Sequence, residues 1–569
     1  MLRRKLLLVL RAAFIVLSPV ASGAAAKPNI VLVTLDSTRA DRMGFLGSKA
    51  RLTPNLDNLA RQTMVFEQAY SQAPLTVVSH ATILSGTYPQ THRASEFGNR
   101  LAPTLPLVPN LLRARGYRTA AFVGSIALDP KNGFAPGFDR GFAEYDAGFH
   151  QPGGTDRFGS VQRSAAQVVT RATAWLARNP QGPFFLWVHL NDPQAASVAS
   201  YNAAVAAADA AVGKLVAALR ASKLYDDALI VIASDHGESL GAHGEETHGV
   251  FLYDETIHVP LLVKLPQTLN AAKRVAARAS LVDIAPTILE IAGVAIPSQM
   301  QGQSLLRIAK SNADQPVYSA SDFPQRAFGW SALESWRAGK YLYVRAPKPE
   351  LYDLSADPGA THNLAQSSKA TLETIAGQLD GFDRRFSASG NAAGGSELTS
   401  SEMQKLASLG YVGLQKSSSP VATAATGIDP KDGIANANKV VSALALLNQG
   451  KPEKAVAALQ PVMAVASKMY LAQYVIGTAL SQQQQYKQAI ERLRAAIELQ
   501  PDSAWAHYEM GSCLLKSGDY KTAVIHLEIA ANRLPDFADA HSLLAQSYDH
   551  LGRSDDAKRE RARTAALKN

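Results

Sequence analysis

Three apolar runs constrain this chain more than any other feature of its sequence. Asn29-Ile-Val-Leu-Val-Thr-Leu ends in Asp36. Phe184-Phe-Leu-Trp-Val ends in His189. Leu229-Ile-Val-Ile-Ala-Ser ends in Asp235-His236. Short, continuous apolar runs of this kind read as strands buried on both faces. Helical patterns separate them from Lys27 to about Phe386, which predicts an α/β sheet with helices on both sides. Each run delivers an ionisable residue at its carboxyl end, where open α/β sheets bind their ligands. Two Asp and two His gathered there supply the oxygen and nitrogen donors of a metal site. Singly, Asp36 also reads as a helix cap, and Asp235 as a turn residue before Gly237. Together they read as ligands.

With 569 residues the chain has room for two to four domains. Its 47% hydrophobic and 18% charged residues exclude wholesale disorder, a collagen-like fibre and a polytopic membrane protein. Near the C-terminus, Ala455, Ala489, Ala523 and Ala557 recur with a period of 34. Ala443, Gly477, Gly511 and Ala545 precede them by a constant step, and Pro501 and Pro535 keep the same period. Small residues belong where two helices cross closely, and proline ends the second helix. The pattern resembles tetratricopeptide repeats and implies an all-α solenoid over 431–569. Such a solenoid offers a concave surface to a protein or peptide partner. The alternative is docking on its own catalytic domain. A Ser/Ala/Gly-rich stretch over 386–430 reads as a linker, within which Leu398 to Leu406 forms a short amphipathic segment that packs back onto the first domain. Few contacts are expected to cross such a linker.

Residues 1–26 read as a signal peptide. Arg3, Arg4 and Lys5 precede an apolar stretch from Leu6 to Leu17, and Ala24-Ala25-Ala26 offers a cleavage site. That implies a periplasmic or secreted protein with no stable membrane span once the signal is removed. The net charge is +9, and Arg3, Arg4, Lys5 and Arg11 contribute four of these positives, leaving +5 after cleavage. This is no nucleic-acid signature, but it mildly favours an anionic substrate. Cys513 is the single cysteine, so no intramolecular disulfide or cysteine-rich zinc site exists.

Six segments occur in a familiar order: KPNIVLVTLDSTRAD, LTVVSHATILSGTYPQTH, FLWVHLNDP, VIASDHGESLGAHG, YDETIHVPLLV and ELYDLSADPGATHNLA. Together they resemble the sulfatase branch of the alkaline phosphatase superfamily across residues 28–366. The resemblance implies a mixed sheet sandwiched by helices over 27–385. It also implies a metal-dependent hydrolase or transferase acting on a phosphate, phosphonate or sulfate ester. Anchored on Leu84-Ser85-Gly86-Thr87-Tyr88-Pro89, it puts Thr76 at the nucleophile position, which in sulfatases is a Cys or Ser oxidised to formylglycine. Val78 replaces the family Pro, Ser79 is kept, and His80 replaces the family Arg. A Thr side chain, being a secondary alcohol, cannot give the formylglycine aldehyde. A metal-activated Thr hydroxyl fits instead.

Asp36 is followed by Ser37 rather than a second Asp, and Asp235 by His236. With Thr76, these three form the implied metal site, where Zn or Mn is favoured over Ca. His189 matches a family residue that contacts the sulfuryl or phosphoryl oxygens, and His80 is a further candidate for that charge. His248 lies near the family's substrate-binding Lys. Gln194 stands where many relatives have His, so recognition of the leaving group differs. By residue type alone, Thr76 and Ser79 also read as caps of the helix through Leu84. The competing functional reading is an inactive sulfatase-like scaffold that works through its repeats.

Overall fold

The computed structural model describes residues 27–95, 99–130, 135–147, 163–179, 182–191, 197–268, 273–387 and 427–568. Residues 1–26, read above as a signal peptide, Gln194 and the segment Leu398–Leu406 lie outside the described residues.

The three apolar runs form the centre of a nine-stranded sheet. Its strands are β1 (Asn29–Leu35), β2 (Met64–Tyr70), β3 (Arg118–Val123), β4 (Glu144–Asp146), β5 (Phe184–Leu190), β6 (Ala228–Ser234), β7 (His258–Lys264), β8 (Lys273–Val275) and β9 (Ala279–Ser280). The spatial order is β4-β3-β5-β1-β6-β7-β2-β8, with β9 also on β2. β7 pairs antiparallel with both its neighbours, and every other pairing is parallel. The sheet is therefore mixed.

Successive residues of each central strand enter different cores, as the two-residue period of a strand requires. Ile30, Leu32, Phe185, Trp187, Leu229 and Val231 join one cluster, while Val31, Val33, Leu186, Val188, Ile230 and Ile232 join the other. Helices cover both clusters, which is why these strands show no polar alternation. The helix Thr76–Ser85 lies on the first face, contributing Val77, Ala81, Ile83 and Leu84. The helices Ala165–Arg178 and Val198–Ala221 lie on the second. Val198–Ala221 is apolar and long enough to cross a membrane, but here Val205, Ala211, Val212 and Leu215 pack into the sheet's core.

A four-stranded antiparallel sheet follows: β10 (Val317–Ser321), β11 (Leu333–Ala338), β12 (Tyr341–Arg345) and β13 (Glu350–Asp353). The helix Lys369–Ser387 packs on it.

Beyond residue 427, eight helices form four hairpins. The small residues sit where the repeat pattern needs them. A Cβ on Gly477 would lie 2.7 Å from Leu493 Cγ, and one on Gly511 would lie 2.5 Å from Leu527 Cγ. Ala455, Ala489, Ala523 and Ala557 are fully buried.

The solenoid does not stand apart. Ala437, Val440, Tyr470, Ala472 and Val475 share one apolar cluster with Val250, Phe251, Tyr253, Phe328 and Trp330 of the catalytic half. Charged pairs flank that contact: Lys431 with Glu350 at 2.6 Å, Lys348 with Asp432 at 2.7 Å and Arg100 with Asp536 at 3.2 Å. Linker composition pointed to few crossing contacts. It reports on the connecting segment and carries no information about the surfaces that segment joins.

Inside the solenoid, His507 and His526 face each other with Nδ1 atoms 2.9 Å apart, and His507 Nε2 donates to the Pro501 carbonyl at 3.1 Å. A neutral pair satisfies this geometry, with His526 donating to His507. Burial holds His507 down to about 4 and His526 well below its ordinary value. The unfolded chain, with histidines near 6.5, therefore binds more protons than the native one below that pH. Stability is complete above about pH 6.5 and falls as pH drops toward about 4. Urea unfolding at pH 7.5 and 5 is expected to show a loss of about 1–3 kcal/mol for the solenoid. His526→Gln should flatten that dependence, and an equal slope in the variant would assign it elsewhere.

Candidate active site and metal centre

β1 lies between β5 and β6, with Thr34 opposite His189 and Leu35 opposite Ser234. The ladder runs one residue further. The Asp36 N–H donates to the Leu190 carbonyl at 2.9 Å, and the Asp235 N–H to the Leu35 carbonyl at 3.1 Å. Two carboxylates thus leave the sheet side by side at its carboxyl edge. Ser37 then turns the chain through a left-handed conformation (φ 49°). Its N–H donates to Asp235 Oδ1 at 3.0 Å and its hydroxyl to Asp36 Oδ1 at 3.2 Å.

Asp36, Asp235 and His236 each offer one donor atom within 4.8 Å of the others. Burial, reinforced by the neighbouring Asp235 charge, pushes the Asp36 carboxyl up to about 7, and burial pushes Asp235 to about 7. Asp235 Oδ2 is buried with no hydrogen-bond partner among the described residues. His236 Nδ1 lies 2.8 Å from the Gly237 carbonyl, which fixes the proton on Nδ1 and leaves the lone pair on Nε2. That nitrogen is 3.7 Å from Asp235 Oδ2 and 3.9 Å from Asp36 Oδ1. An orphaned carboxylate oxygen, two carboxylates that resist ionisation together and an imidazole in its ligating tautomer fit a divalent cation.

Thr76 is the first residue of the helix Thr76–Ser85. Leu75 precedes it, and no side chain caps this helix. The Thr76 hydroxyl instead lies 3.1 Å from His236 Nε2 and 3.5 Å from Asp36 Oδ1. Ser79 points elsewhere, donating to the Ala73 carbonyl at 2.7 Å and pairing with Ser71 at 2.9 Å. The helix-cap reading therefore fails for both residues.

His80 requires a correction. Its Nδ1 donates to the Thr76 carbonyl at 2.8 Å, and its Nε2 lies 3.0 Å from Thr34 Oγ1. It is fully buried, and that burial holds it near 3, hence neutral. Neither nitrogen is left for a substrate oxygen. One helical turn below Thr76, the ring steadies the backbone that presents the hydroxyl.

Thr34 fixes the proton positions around it. Its hydroxyl oxygen lies 3.0 Å from each of His80 Nε2, His189 Nδ1 and Trp187 Nε1. The indole can only donate. Neutral His80, protonated at Nδ1, can only accept at Nε2, so it takes the one hydroxyl proton. His189 must then donate from Nδ1. Its Nε2 is left as a buried acceptor without a partner among the described residues. Burial and the neighbouring His80 hold His189 well below its ordinary value.

His248 joins from the loop after β6. Its ring lies 4.4 Å from the His236 ring, and its Nδ1 is 3.2 Å from Glu238 Oε2. Burial alone would lower its pKa, but the Glu238 ion pair overrides this and raises it to about 10. Glu238 thus favours the protonated form of His248, beside His236.

The structure thus gathers Asp36, Thr76, Asp235, His236 and His248, and places His80 and His189 behind them. Sequence reasoning passed over Thr34 and Glu238. Thr34 is the one polar residue inside the first apolar run, and that interruption was the available signal. Glu238 carries no signal before its pairing with His248 is seen. Thr34→Val should leave three buried polar groups unsatisfied and cost about 2–4 kcal/mol in urea unfolding, with Thr34→Ser close to wild type. A Val variant as stable as wild type would mean the hydroxyl is not the shared partner.

Three family models match the chain. The sulfatase model covers residues 28–294, the C-terminal model of N-sulphoglucosamine sulphohydrolase covers 248–380, and a tetratricopeptide repeat model covers 480–547. An ulvan-active sulfatase of Formosa agariphila is 28% identical over 414 residues, spanning 62% of this chain and 80% of its own length. Arylsulfatase K of Gallus gallus is 25% identical over 437 residues, 61% of this chain and 81% of its own. The fold matches that of a phosphonate monoester hydrolase of Agrobacterium radiobacter, with a TM-score of 0.52 at 20% identity, over 63% of this chain and 96% of that one. The sulfatase model, the sulphohydrolase C-terminal model and the sulfatase homologues support a sulfuric ester hydrolase with tetratricopeptide repeats toward its C-terminus.

Proposed function

We propose that this protein hydrolyses anionic phosphate or phosphonate esters, and sulfate esters less well, with the Thr76 hydroxyl as nucleophile. The observation that carries this reading is the convergence of that hydroxyl on His236 Nε2 and Asp36 Oδ1 at the carboxyl edge of the sheet.

Asp36, Asp235 and His236, with Thr76, would hold the divalent ion. Such an ion lowers the pKa of a bound hydroxyl and offsets charge on the substrate's non-bridging oxygens. The chain's own residues do the rest. The His80 bond to the Thr76 carbonyl and the start of the helix fix the direction of the hydroxyl. The amide dipoles at that helix end favour the negative charge that develops on Thr76 Oγ1. Thr76 gives up its hydroxyl proton to solvent, Oγ1 attacks phosphorus in line, the Oγ–P bond forms, the ester P–O bond breaks, and the leaving alkoxide takes up a proton from solvent. His248, held as a cation by Glu238, donates toward the oxygens where charge accumulates. Water then attacks the Thr76 ester and releases the product anion. An acceptor alcohol in place of water would make the same step a transfer.

The preference for phosphorus follows from the nucleophile. A formylglycine hydrate expels sulfate by collapsing to an aldehyde. A threonine sulfate has no such route and needs a second attack at a hindered sulfur. The N-terminal segment supports export to a periplasm or the exterior, and the repeats support a protein or peptide partner.

Thr76→Ala is expected to lose turnover on aryl phosphates, phosphonates and sulfates while keeping its bound metal, because two carboxylates and one imidazole remain. Asp235→Asn and His236→Ala are expected to lose metal and activity together, read by elemental analysis and rate. Wild-type kcat/KM on the matched esters decides the substrate. A tenfold preference corresponds to about 1.4 kcal/mol of barrier. A preference for aryl sulfate, with Thr76 unmodified by mass spectrometry, would overturn the phosphorus assignment.

A further inference from the structure

His248 sits on a segment that the catalytic domain does not hold alone. Residues 238–253 leave β6 and double back, with the Ser239 N–H on the Thr247 carbonyl and the Gly241 N–H on the Glu245 carbonyl, each at 2.8 Å. The buried Glu245 carboxylate shapes the turn after His248 by accepting the Val250 N–H at 2.8 Å and the Phe251 N–H at 3.1 Å.

Two points of this segment are tied to the first solenoid helix, Pro430–Asn448, one directly and one through Glu350. At one end, the Asn438 side-chain amide makes a two-way contact. Its Nδ2 donates to the Gly244 carbonyl at 2.9 Å, and its Oδ1 accepts the Glu246 N–H at 3.2 Å. At the other end, Lys431 Nζ reaches the buried Glu350 at 2.6 Å. The second oxygen of Glu350 accepts the Tyr253 hydroxyl at 2.5 Å. Between these points the helix lies flush on the catalytic half. A Cβ on Gly433 would sit 2.3 Å from the Trp330 ring, and Ala437 and Val440 share a core with Val250, Phe251 and Tyr253. His248 therefore lies between one fastening made directly by the repeat array, at Asn438, and one that Lys431 reaches through Glu350.

We propose that the first helix of the repeat array is a positioning arm of the active site, and that Asn438 and Lys431 hold the 244–253 segment so that His248 stays beside His236. The proposal rests on the reading above that His248 serves the reaction. It assigns the array a second role besides partner binding: release of this helix lowers turnover, and anything that displaces it acts as a regulator of the site. Asn438 and Lys431 act through His248 and touch neither substrate nor metal ligands.

The test uses the full chain. Asn438→Ala and Lys431→Met are compared with wild type by hydrogen exchange, metal content and kinetics on an aryl ester, well below the unfolding temperature. Amides of Glu246, Thr247, Val250 and Phe251 are expected to exchange about tenfold faster in Asn438→Ala. Metal content should stay unchanged, and kcat should fall about tenfold with KM nearly constant, as for an interaction made mainly in the transition state. Asn438→Asp, which keeps the acceptor for Glu246 and loses the donor to Gly244, should fall between the two. It also serves should the Ala variant fold poorly. A double-mutant cycle separates the inference from the reading beneath it. With His248→Ala already in place, Asn438→Ala should cost nothing further in kcat. An additive loss, or unchanged exchange over 244–251, overturns the positioning arm. An inert His248→Ala instead refutes the role given to His248, whatever exchange shows.

Discussion

The in-register parallel pairing of β5, β1 and β6 is the constraint on which the rest of this molecule depends. These strands are apolar on both faces and their backbone groups pair across three neighbours, so neither slip nor tilt is available without exposing a core. Their ends are therefore level. Asp36 and Asp235 emerge side by side because the ladder carries one residue past each strand, at Leu190 and Leu35. The same register sets Thr34 against His189 on the inner face, where the helix of Thr76 lies.

That placement is electrostatically costly. Burial raises the proton affinity of both carboxylates, the Asp235 charge adds to it at Asp36, and the Asp235 oxygen with no hydrogen-bond partner among the described residues marks where compensation is missing. The surrounding imidazoles divide the remaining work by proton position. His236 and His80 carry Nδ1 protons because each faces a backbone carbonyl. His189 carries its proton on Nδ1 because Thr34 has one hydrogen to give. Glu238 favours the charged form of His248. Four histidines of one residue type thus differ in proton position through their partners alone.

The repeat array changes the meaning of the domain order. A solenoid behind a linker is ordinarily an independent module. Here its first helices bury Trp330, Phe328 and Tyr253 in a core shared with the catalytic half. Charged pairs surround that core, and the segment bearing His248 runs along it. The contact is as much a part of the site's architecture as the second sheet.

Much of this was legible in the sequence. The strand runs, their ionisable ends and the period of 34 each follow from local pattern, because burial on two faces, strand-end chemistry and helix crossing impose residue types at fixed spacing. Asp36, Asp235 and His236 were readable for that reason, and Thr76 through its place before Leu84-Ser85-Gly86-Thr87-Tyr88-Pro89. The remainder depended on what stands opposite. His80 has the residue type of a substrate contact, and only the Thr34 hydroxyl and the Thr76 carbonyl turn it into a brace. Glu238 and Asn438 belong to no spacing rule at all, since their partners lie across a loop or across a domain contact. Sequence determined which groups stand at the strand ends and where helices cross, because those are properties of single elements. Tertiary structure decided which nitrogen carries a proton, which cation is held beside the site and which helix holds it there, because each is set by a neighbour distant in the chain.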